Sequence, residues 1–177
     1  MNDANEDKQK EIESYIKYLE EKPFRYYVSF SFPQWTNKLV YMMLVKNYIK
    51  YLNLYILKKR YSKHGQALNG IIFKESSMAK EYVKFHVIFA DHTTGYPLPD
   101  YDRMKEILGK ILVNVNRLTG NSSRKIKNLT VEEYVKGDVE KIFKECFEYH
   151  KTLDNMISSI CPIDAEPISF YQYNAEG

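Results

Sequence analysis

Two side chains that can bind metals stand in neighbouring apolar segments. Glu75 follows the run that contains Ile71 and Phe73, and His86 lies inside the run from Tyr82 to Ala90. A carboxylate in such a strand, if buried, must be hydrogen-bonded, paired or metal-bound. A strand hairpin can bring Glu75 and His86 together on one face, and their oxygen and nitrogen donors suit Mn²⁺ or Mg²⁺. The sequence therefore predicts half of a divalent-metal site.

Two other readings of these residues stay open. Glu75 and Lys84 can form a cross-strand ion pair beside a half-exposed His86, with no metal involved. Cys146 and His150, four residues apart on one helix, can join His86 around Zn²⁺. The zinc reading is the weaker of the two, because no second ligand pair accompanies it.

Composition and charge describe an ordinary folded domain. The chain has 177 residues, 44% apolar and 28% charged, which is enough for one core without disulfides. A net charge of +3 does not by itself identify a nucleic-acid binder. No apolar run approaches the roughly 18 residues of a membrane span, and the first ten residues do not resemble a signal peptide. We expect a cytoplasmic protein with no membrane partner.

Hydrophobic periodicity gives the order of the elements. Residues 1–22 form an N-terminal amphipathic helix, and residues 23–177 form one domain that starts with a half-covered strand over 24–32. The predicted α+β fold is an antiparallel sheet covered by helices. The later elements are a long helix from Thr36 to about Tyr61, strands from Gly70 and over Tyr82 to Ala90, a helix after Asp100, a short strand within 125–136, a helix after Asp138, and a strand from Ile168 to Tyr173.

The long helix has two adjacent apolar stripes. The first is predicted to be buried, and the second, which is rich in tyrosine and lies next to lysines, can either contact a nucleic acid or flank the core. The first stripe contains Leu39, Met42, Val45, Ile49, Leu52 and Ile56, and the second contains Tyr41, Leu44, Tyr48, Tyr51 and Tyr55.

Three short segments resemble the HUH single-strand endonucleases, specifically the rolling-circle replication initiator (Rep) proteins of plasmids and filamentous phages. Residues 27–33 (YVSFSFP) resemble the first-strand motif of the family, and residues 73–75 (FKE) resemble its carboxylate-bearing strand. Residues 84–89 (KFHVIF) stand where the family has two histidines around a hydrophobic residue. The resemblance implies a Rep-like fold, with an RRM-like core and here an extra N-terminal helix.

The resemblance also implies a metal-assisted tyrosine nucleophile. Glu75 and His86 become metal ligands, but Lys84 replaces the first histidine, and an ammonium group cannot ligate a metal. The family's tyrosine and lysine motif falls at residues 148–151 (EYHK), so Tyr149 and Lys151 are the catalytic candidates. Tyr149 is one residue out of the family's register. Tyr134 is a weaker alternative.

The implied function is binding and nicking of single-stranded or hairpin nucleic acid by a protein of a mobile genetic element, with the activity impaired by these replacements. Lys84, Arg124, Lys125 and Lys127 are the expected nucleic-acid contacts. One alternative is an inactive Rep-like protein that binds a protein–nucleic-acid machine, for example as an inhibitor of a host nucleic-acid-guided defence complex. A structural protein with no nucleic-acid role is a third.

Overall fold

A computed structural model of the chain describes residues 3–33, 38–64, 68–76, 82–90, 97–118, 120, 125–150 and 160–161. Within them it contains five helices and five strands. The helices are α1 Asp3–Glu20, α2 Lys38–Leu57, α3 Lys59–His64, α4 Tyr101–Arg117 and α5 Asp138–His150, and the strands are β1 Phe24–Pro33, β2 Asn69–Ser76, β3 Tyr82–Ala90, β4 Lys127–Glu133 and β5 Ile160–Cys161.

The strands form one sheet in the order β4-β1-β3-β2-β5, and every pair is antiparallel. The two long central strands, β1 and β3, pair along nearly their whole length, with Ser29 opposite His86. Helices α2 and α4 connect strands that are not neighbours, so the chain crosses the sheet twice. The predicted α+β class with an antiparallel sheet is confirmed.

One face of the sheet packs against α2 and α4. Alternate residues of the central strands, including Phe30, Phe32 and Phe85, point into this layer and are almost completely buried. The apolar stripe of α4 supplies the opposite wall, and Asp100 caps that helix by accepting a hydrogen bond from the backbone N–H of Arg103. This layer is the main hydrophobic core, and the predicted helix after Asp100 is confirmed.

The other face packs against α1 and α5. Leu19 of α1, Phe143 of α5 and the strand residues Tyr27, Phe73 and Ile88 form a second buried cluster. The prediction of a half-covered first strand is therefore wrong. β1 is buried on both faces because the N-terminal helix docks on α5 and covers the sheet.

The prediction for the stripes of α2 is confirmed in part. Leu39 is 80% exposed, but three other residues of the first stripe are completely buried, as predicted: Val45, Ile49 and Leu52. The second stripe also contributes to the core, through Tyr41, Leu44 and Tyr48. Because α2 is apolar around most of its circumference, its periodicity could not choose between neighbouring stripes. The helix also ends at Leu57 rather than near Tyr61, since Lys58 has a φ of 50° that separates α2 from α3.

Some predicted features fall outside the described residues, namely the Thr36 cap and the strand from Ile168 to Tyr173. The two-residue strand β5, which pairs with Ile72 and Phe73 of β2, was not predicted. Among the helices that the structure describes, none is long and apolar enough to cross a membrane.

Candidate metal centre

The β2–β3 hairpin brings Glu75 and His86 together. Its register pairs Glu75 with Lys84 and Phe73 with His86, so all four side chains start from the same sheet face. The Nε2 atom of His86 lies 2.8 Å from the Oε2 atom of Glu75. The predicted approach of these two residues is confirmed. The alternative with a half-exposed His86 beside an ion pair is wrong on that point, because His86 has no exposed surface and Glu75 is 2% exposed.

Tyr27 of β1 completes a buried chain of hydrogen bonds. Its hydroxyl lies 2.7 Å from the Nδ1 atom of His86, and the two rings are stacked. Burial, above all, holds the pKa of His86 below its ordinary value and favours the neutral ring. A neutral His86 that donates from Nε2 to the Glu75 carboxylate must accept at Nδ1 from the Tyr27 hydroxyl. Each polar group of the chain then has a partner.

The same hydroxyl is held in its protonated form. Burial is the main cause that raises the pKa of Tyr27, and the nearby negative charges of Glu145, Glu132, Asp138 and Glu75 raise it further. Tyr27 is therefore a neutral hydrogen-bonding group at physiological pH. It can orient His86, but it is a poor source of a phenolate.

A third candidate ligand comes from α5. The Oε2 atom of Glu145 lies 3.9 Å from His86 Nε2, and the ligand atoms of Glu75, His86 and Glu145 all lie within 4.8 Å of one another. This cluster could hold a metal ion. Glu145 was missed in the sequence, although it lies three residues after buried Ile142 and so borders the apolar stripe of its helix.

The donor set fits a divalent cation. Two carboxylates and one imidazole supply oxygen and nitrogen donors and two negative charges. To serve as a ligand, Nε2 of His86 has to give up its proton, so the ring takes the tautomer with hydrogen on Nδ1. The Tyr27 oxygen is placed to accept that hydrogen, which is the supporting contact that metal-bound histidines usually have.

Lys84 stands at the edge of this cluster. Its Nζ atom lies 4.0 Å from Glu145 Oε2, and both side chains are about one third exposed. The ammonium group balances part of the carboxylate charge, and it also lowers the pKa of His86. A cation that enters the cluster therefore competes with Lys84 for Glu145.

A row of polar side chains extends from the cluster across β1 to β4. The hydroxyls of Ser29 and Thr130 lie 2.6 Å apart, and the Asn128 amide donates to Ser31. Ser31 pairs with Lys84 on one side, and on the other side it pairs with Lys127 of β4, which is exposed. Lys84 and Lys127, which are two of the predicted nucleic-acid contacts, thus lie on either side of Ser31 in the sheet. Lys125 precedes β4 and is partly exposed, while Arg124 lies outside the described residues.

The catalytic candidates are placed only in part. Tyr149 belongs to the α5 backbone four residues after Glu145, so the helical repeat puts both positions on one side of that helix. The side chain of Tyr149 and all of Lys151 lie outside the described residues, as do the side chains of Cys146 and His150 from the zinc reading.

Tyr134 is displaced from the cluster. Its backbone N–H donates to the carbonyl of Arg25, four residues along β1 from Ser29, which is about 13 Å at the rise of a strand. Its ring packs against Phe24 at the α1 end of the sheet, and burial raises the pKa of its hydroxyl. The geometry does not support Tyr134 as a nucleophile for this centre.

Comparisons with known proteins add no family: no protein-family model, curated protein or solved structure matches the chain.

Proposed function

We propose that this protein is a Rep-like enzyme that acts on single-stranded nucleic acid with a divalent cation held by Glu75, His86 and Glu145. The observation that carries the proposal is the placement of Glu145. Lys84 stands where the family has a metal-binding histidine, and α5 supplies a carboxylate within 4 Å of the same imidazole. In this proposal, Glu145 of α5 takes the place of the metal-binding histidine that Lys84 replaces on β3.

The fold is compatible with this proposal. From β1 to β4 the chain follows the order strand, helix, strand, strand, helix, strand, with α3 as a short addition after α2, and its sheet order is β4-β1-β3-β2. An RRM-like core has this arrangement. The cluster lies on the sheet face opposite α2 and α4, and its partly exposed members, Lys84 and Glu145, mark the side from which a substrate would approach.

The helix position of Tyr149 also supports the proposal. Because Tyr149 follows Glu145 by one turn, the helix that supplies the third ligand also carries the nucleophile candidate. Tyr149 can serve as the nucleophile only if α5 is turned relative to the family. The contact between Glu145 and His86, which places the side of α5 that carries position 145 toward the cluster, supports such an orientation.

The chemistry follows from these roles. A divalent cation in this cluster would act as a Lewis acid on a phosphoryl oxygen. The Tyr149 oxygen attacks phosphorus, the bond from phosphorus to the 3′ oxygen breaks, and the proton lost by the phenol is matched by one gained at the released 3′ oxygen. Lys84 and Lys127 contact the phosphates on either side, and Tyr27 holds His86 in place through its hydroxyl.

One observation favours a second candidate function, nucleic-acid binding without cleavage. The Lys84 ammonium already neutralises Glu145 at the mouth of the cluster. If Lys84 keeps that place in solution, it offers a phosphate a positive charge where a cation would otherwise sit. An inactive Rep-like protein that binds or inhibits a nucleic-acid machine would then result, and chelators would not affect it.

Metal binding by the free protein tests the proposal most directly. Titration with Mn²⁺, followed by electron paramagnetic resonance of the unbound ion, should give one site per chain. Glu145→Gln should weaken that site by roughly tenfold or more, because it removes a charged ligand. The matched control is Glu140→Gln on the same helix, where Glu140 is exposed and pairs with Lys144. Equal affinities in the two variants would contradict the assignment of Glu145.

Covalent capture tests the nucleophile and separates the two functions. A labelled single-stranded DNA library is incubated with the protein and Mn²⁺, and adducts are resolved on a denaturing gel. We expect an adduct that is lost with a chelator and in Tyr149→Phe, but retained in Tyr134→Phe. Binding with no adduct and no effect of a chelator favours the second candidate function instead.

A further inference from the structure

The positive charge of the chain is concentrated in α2 and α3. The whole sequence has 26 lysines and arginines against 23 aspartates and glutamates, a difference of +3. Residues 38–64 contain seven of the basic residues and no acidic one, which leaves 19 basic against 23 acidic residues in the remainder. The modest net charge therefore conceals a basic segment of +7 on a chain whose remainder is at −4.

Five of these basic residues are exposed lysines with no ion-pair partner among the described residues. Glu106 on α4, the helix beside α2, pairs with Arg103 and Lys110 of its own helix instead. Exposed charges that a fold leaves unbalanced are attractive to a polyanion. We call these five residues the basic surface: Lys46, Lys50, Lys58, Lys59 and Lys63.

The basic surface follows one side of the molecule. Lys46, Lys50 and Lys58 fall on a single row at four-residue intervals, which spans about 18 Å at the rise of an α-helix. Lys58 closes the last turn of α2 by donating its backbone N–H to Leu54, and α3 then continues with Lys59 and Lys63. Since α2 covers the sheet face opposite the metal cluster, this surface is separate from that centre.

Aromatic exposure in the same helix points to the kind of polyanion. Tyr55 is 41% exposed and lies in the last turn of α2, which the backbone N–H of Lys58 closes. An exposed ring among lysines is the combination that single-stranded nucleic acid uses, with bases stacking on the ring and phosphates on the cations. Leu39 and Met43 are also exposed on α2, so an anionic membrane is the competing partner that the experiment has to exclude.

We propose that the basic surface of α2 and α3 is a second nucleic-acid contact, which holds single-stranded DNA or RNA on the side of the sheet away from the metal cluster. Its lysines bind the backbone without sequence preference, and Tyr55 stacks on a base. This inference goes beyond the proposed function, because it requires neither a metal nor Tyr149.

Two double variants of identical net charge test it. Lys46→Glu/Lys50→Glu removes positive charge from the basic surface, and Lys10→Glu/Lys136→Glu removes the same amount from exposed lysines elsewhere. Binding of labelled oligo(dT) and of its RNA counterpart is followed by fluorescence anisotropy in EDTA over a series of salt concentrations. The first variant should bind about tenfold more weakly at low salt, with a logarithmic salt slope that is shallower by about 1.4. The control pair should bind like the wild type.

Further arms decide what the surface recognises. Tyr55→Ala should weaken oligonucleotide binding, while Lys46→Glu/Lys50→Glu should leave Mn²⁺ binding at the cluster unchanged. Equal losses in the two double variants, or no oligonucleotide binding by the wild type, would overturn the inference whatever the outcome at the metal centre. Stronger binding to phosphatidylserine vesicles than to oligonucleotide would also overturn it, in favour of a membrane surface.

Discussion

The two faces of the sheet differ in size and in chemistry: the buried apolar cluster toward α2 and α4 is the larger, and the cluster toward α1 and α5 is the smaller. The face toward α2 and α4 is filled by aromatic and aliphatic side chains, and its polar groups are paired locally, as when Asn53 bonds to the backbone of Ile49 and Leu68. The face toward α1 and α5 buries Ser29, Ser31, Glu75 and His86. Burial of polar groups costs free energy unless partners satisfy them, so a cluster of buried polar groups marks the second face as the place where chemistry is expected.

The largest effect on stability should come from a substitution on the sheet face toward α2 and α4. Phe85 is 2% exposed and contacts the rings of Phe30, Phe32 and Tyr41. Phe85→Ala should lower the free energy of unfolding by about 3–5 kcal/mol, because it removes buried apolar surface and leaves a cavity. Urea unfolding measures this, with Val113→Ala at a half-exposed position as a control that should change little. A loss near zero for Phe85→Ala would mean that this face is not the main core.

On the sheet face toward α1 and α5, we expect the effects of substituting Glu75 and His86 on the free energy of unfolding to depend on each other. Glu75→Leu leaves the Nε2 hydrogen of His86 buried without an acceptor, which should destabilise by about 1–3 kcal/mol. The double variant Glu75→Leu/His86→Leu should be destabilised by less than the sum of the single changes, with a coupling energy of about 1–3 kcal/mol. Urea unfolding of the four proteins gives this value.

The control is a second double-mutant cycle, in which the two substituted residues do not touch each other. Glu75→Leu combined with Leu108→Ala on the opposite face should be additive within about 0.5 kcal/mol. Additivity in both cycles would show that the 2.8 Å contact between Glu75 and His86 contributes nothing to stability.

The pH dependence of stability should also separate the faces. Because burial lowers the pKa of His86 in the folded state, the unfolded chain takes up this proton first as the pH falls below the ordinary histidine value of 6.5. The free energy of unfolding in EDTA should therefore decrease below that pH, by at most about 1.4 kcal/mol per pH unit from this group. His86→Gln should flatten this part of the profile, and parallel profiles for the two proteins would contradict the buried neutral state.

The smallest expected stability change comes from removing a single tyrosine hydroxyl, and it distinguishes a tyrosine that positions a metal ligand from one that only stabilises the fold. Tyr27→Phe and Tyr101→Phe each remove one hydroxyl that donates a hydrogen bond, to His86 Nδ1 or to the Val131 carbonyl. Each should cost about 1 kcal/mol in urea unfolding. Only Tyr27→Phe should also weaken Mn²⁺ binding, by about 10–100-fold, because it alone supports a proposed ligand. Equal Mn²⁺ affinities would assign Tyr27 a structural role.

Local pattern was sufficient to predict strands β1 to β4 and half of the metal centre. The alternation around Glu75 and His86 predicted both the hairpin and the shared face, since side-chain direction in a strand follows from the sequence with a period of two. α4 was predicted for a similar reason, because its apolar residues form one narrow stripe and Asp100 supplies a cap.

What pattern could not supply was the approach of distant elements. Glu145 reaches His86 only because α5 lies across the hairpin, and no periodicity encodes that contact. The docking of α1 was equally hidden, although it decides that β1 is buried on both faces. In α2 the pattern identified most of the first stripe as buried but left the second stripe undecided, and packing against the sheet buries Tyr41, Leu44 and Tyr48 as well.

β4 is the end strand of the sheet, so its outer backbone groups pair with no other strand that the structure describes. The strand is short and mostly exposed, and it carries Lys127, Glu132 and Glu133. Asn128 adopts a φ of 54°, and the pairing with β1 shifts register between Ser29 and Ser31. Charges and an irregular backbone at a sheet edge discourage the addition of another strand. The irregular backbone that brings Asn128 to Ser31 therefore also disfavours aggregation by strand pairing at the β4 edge.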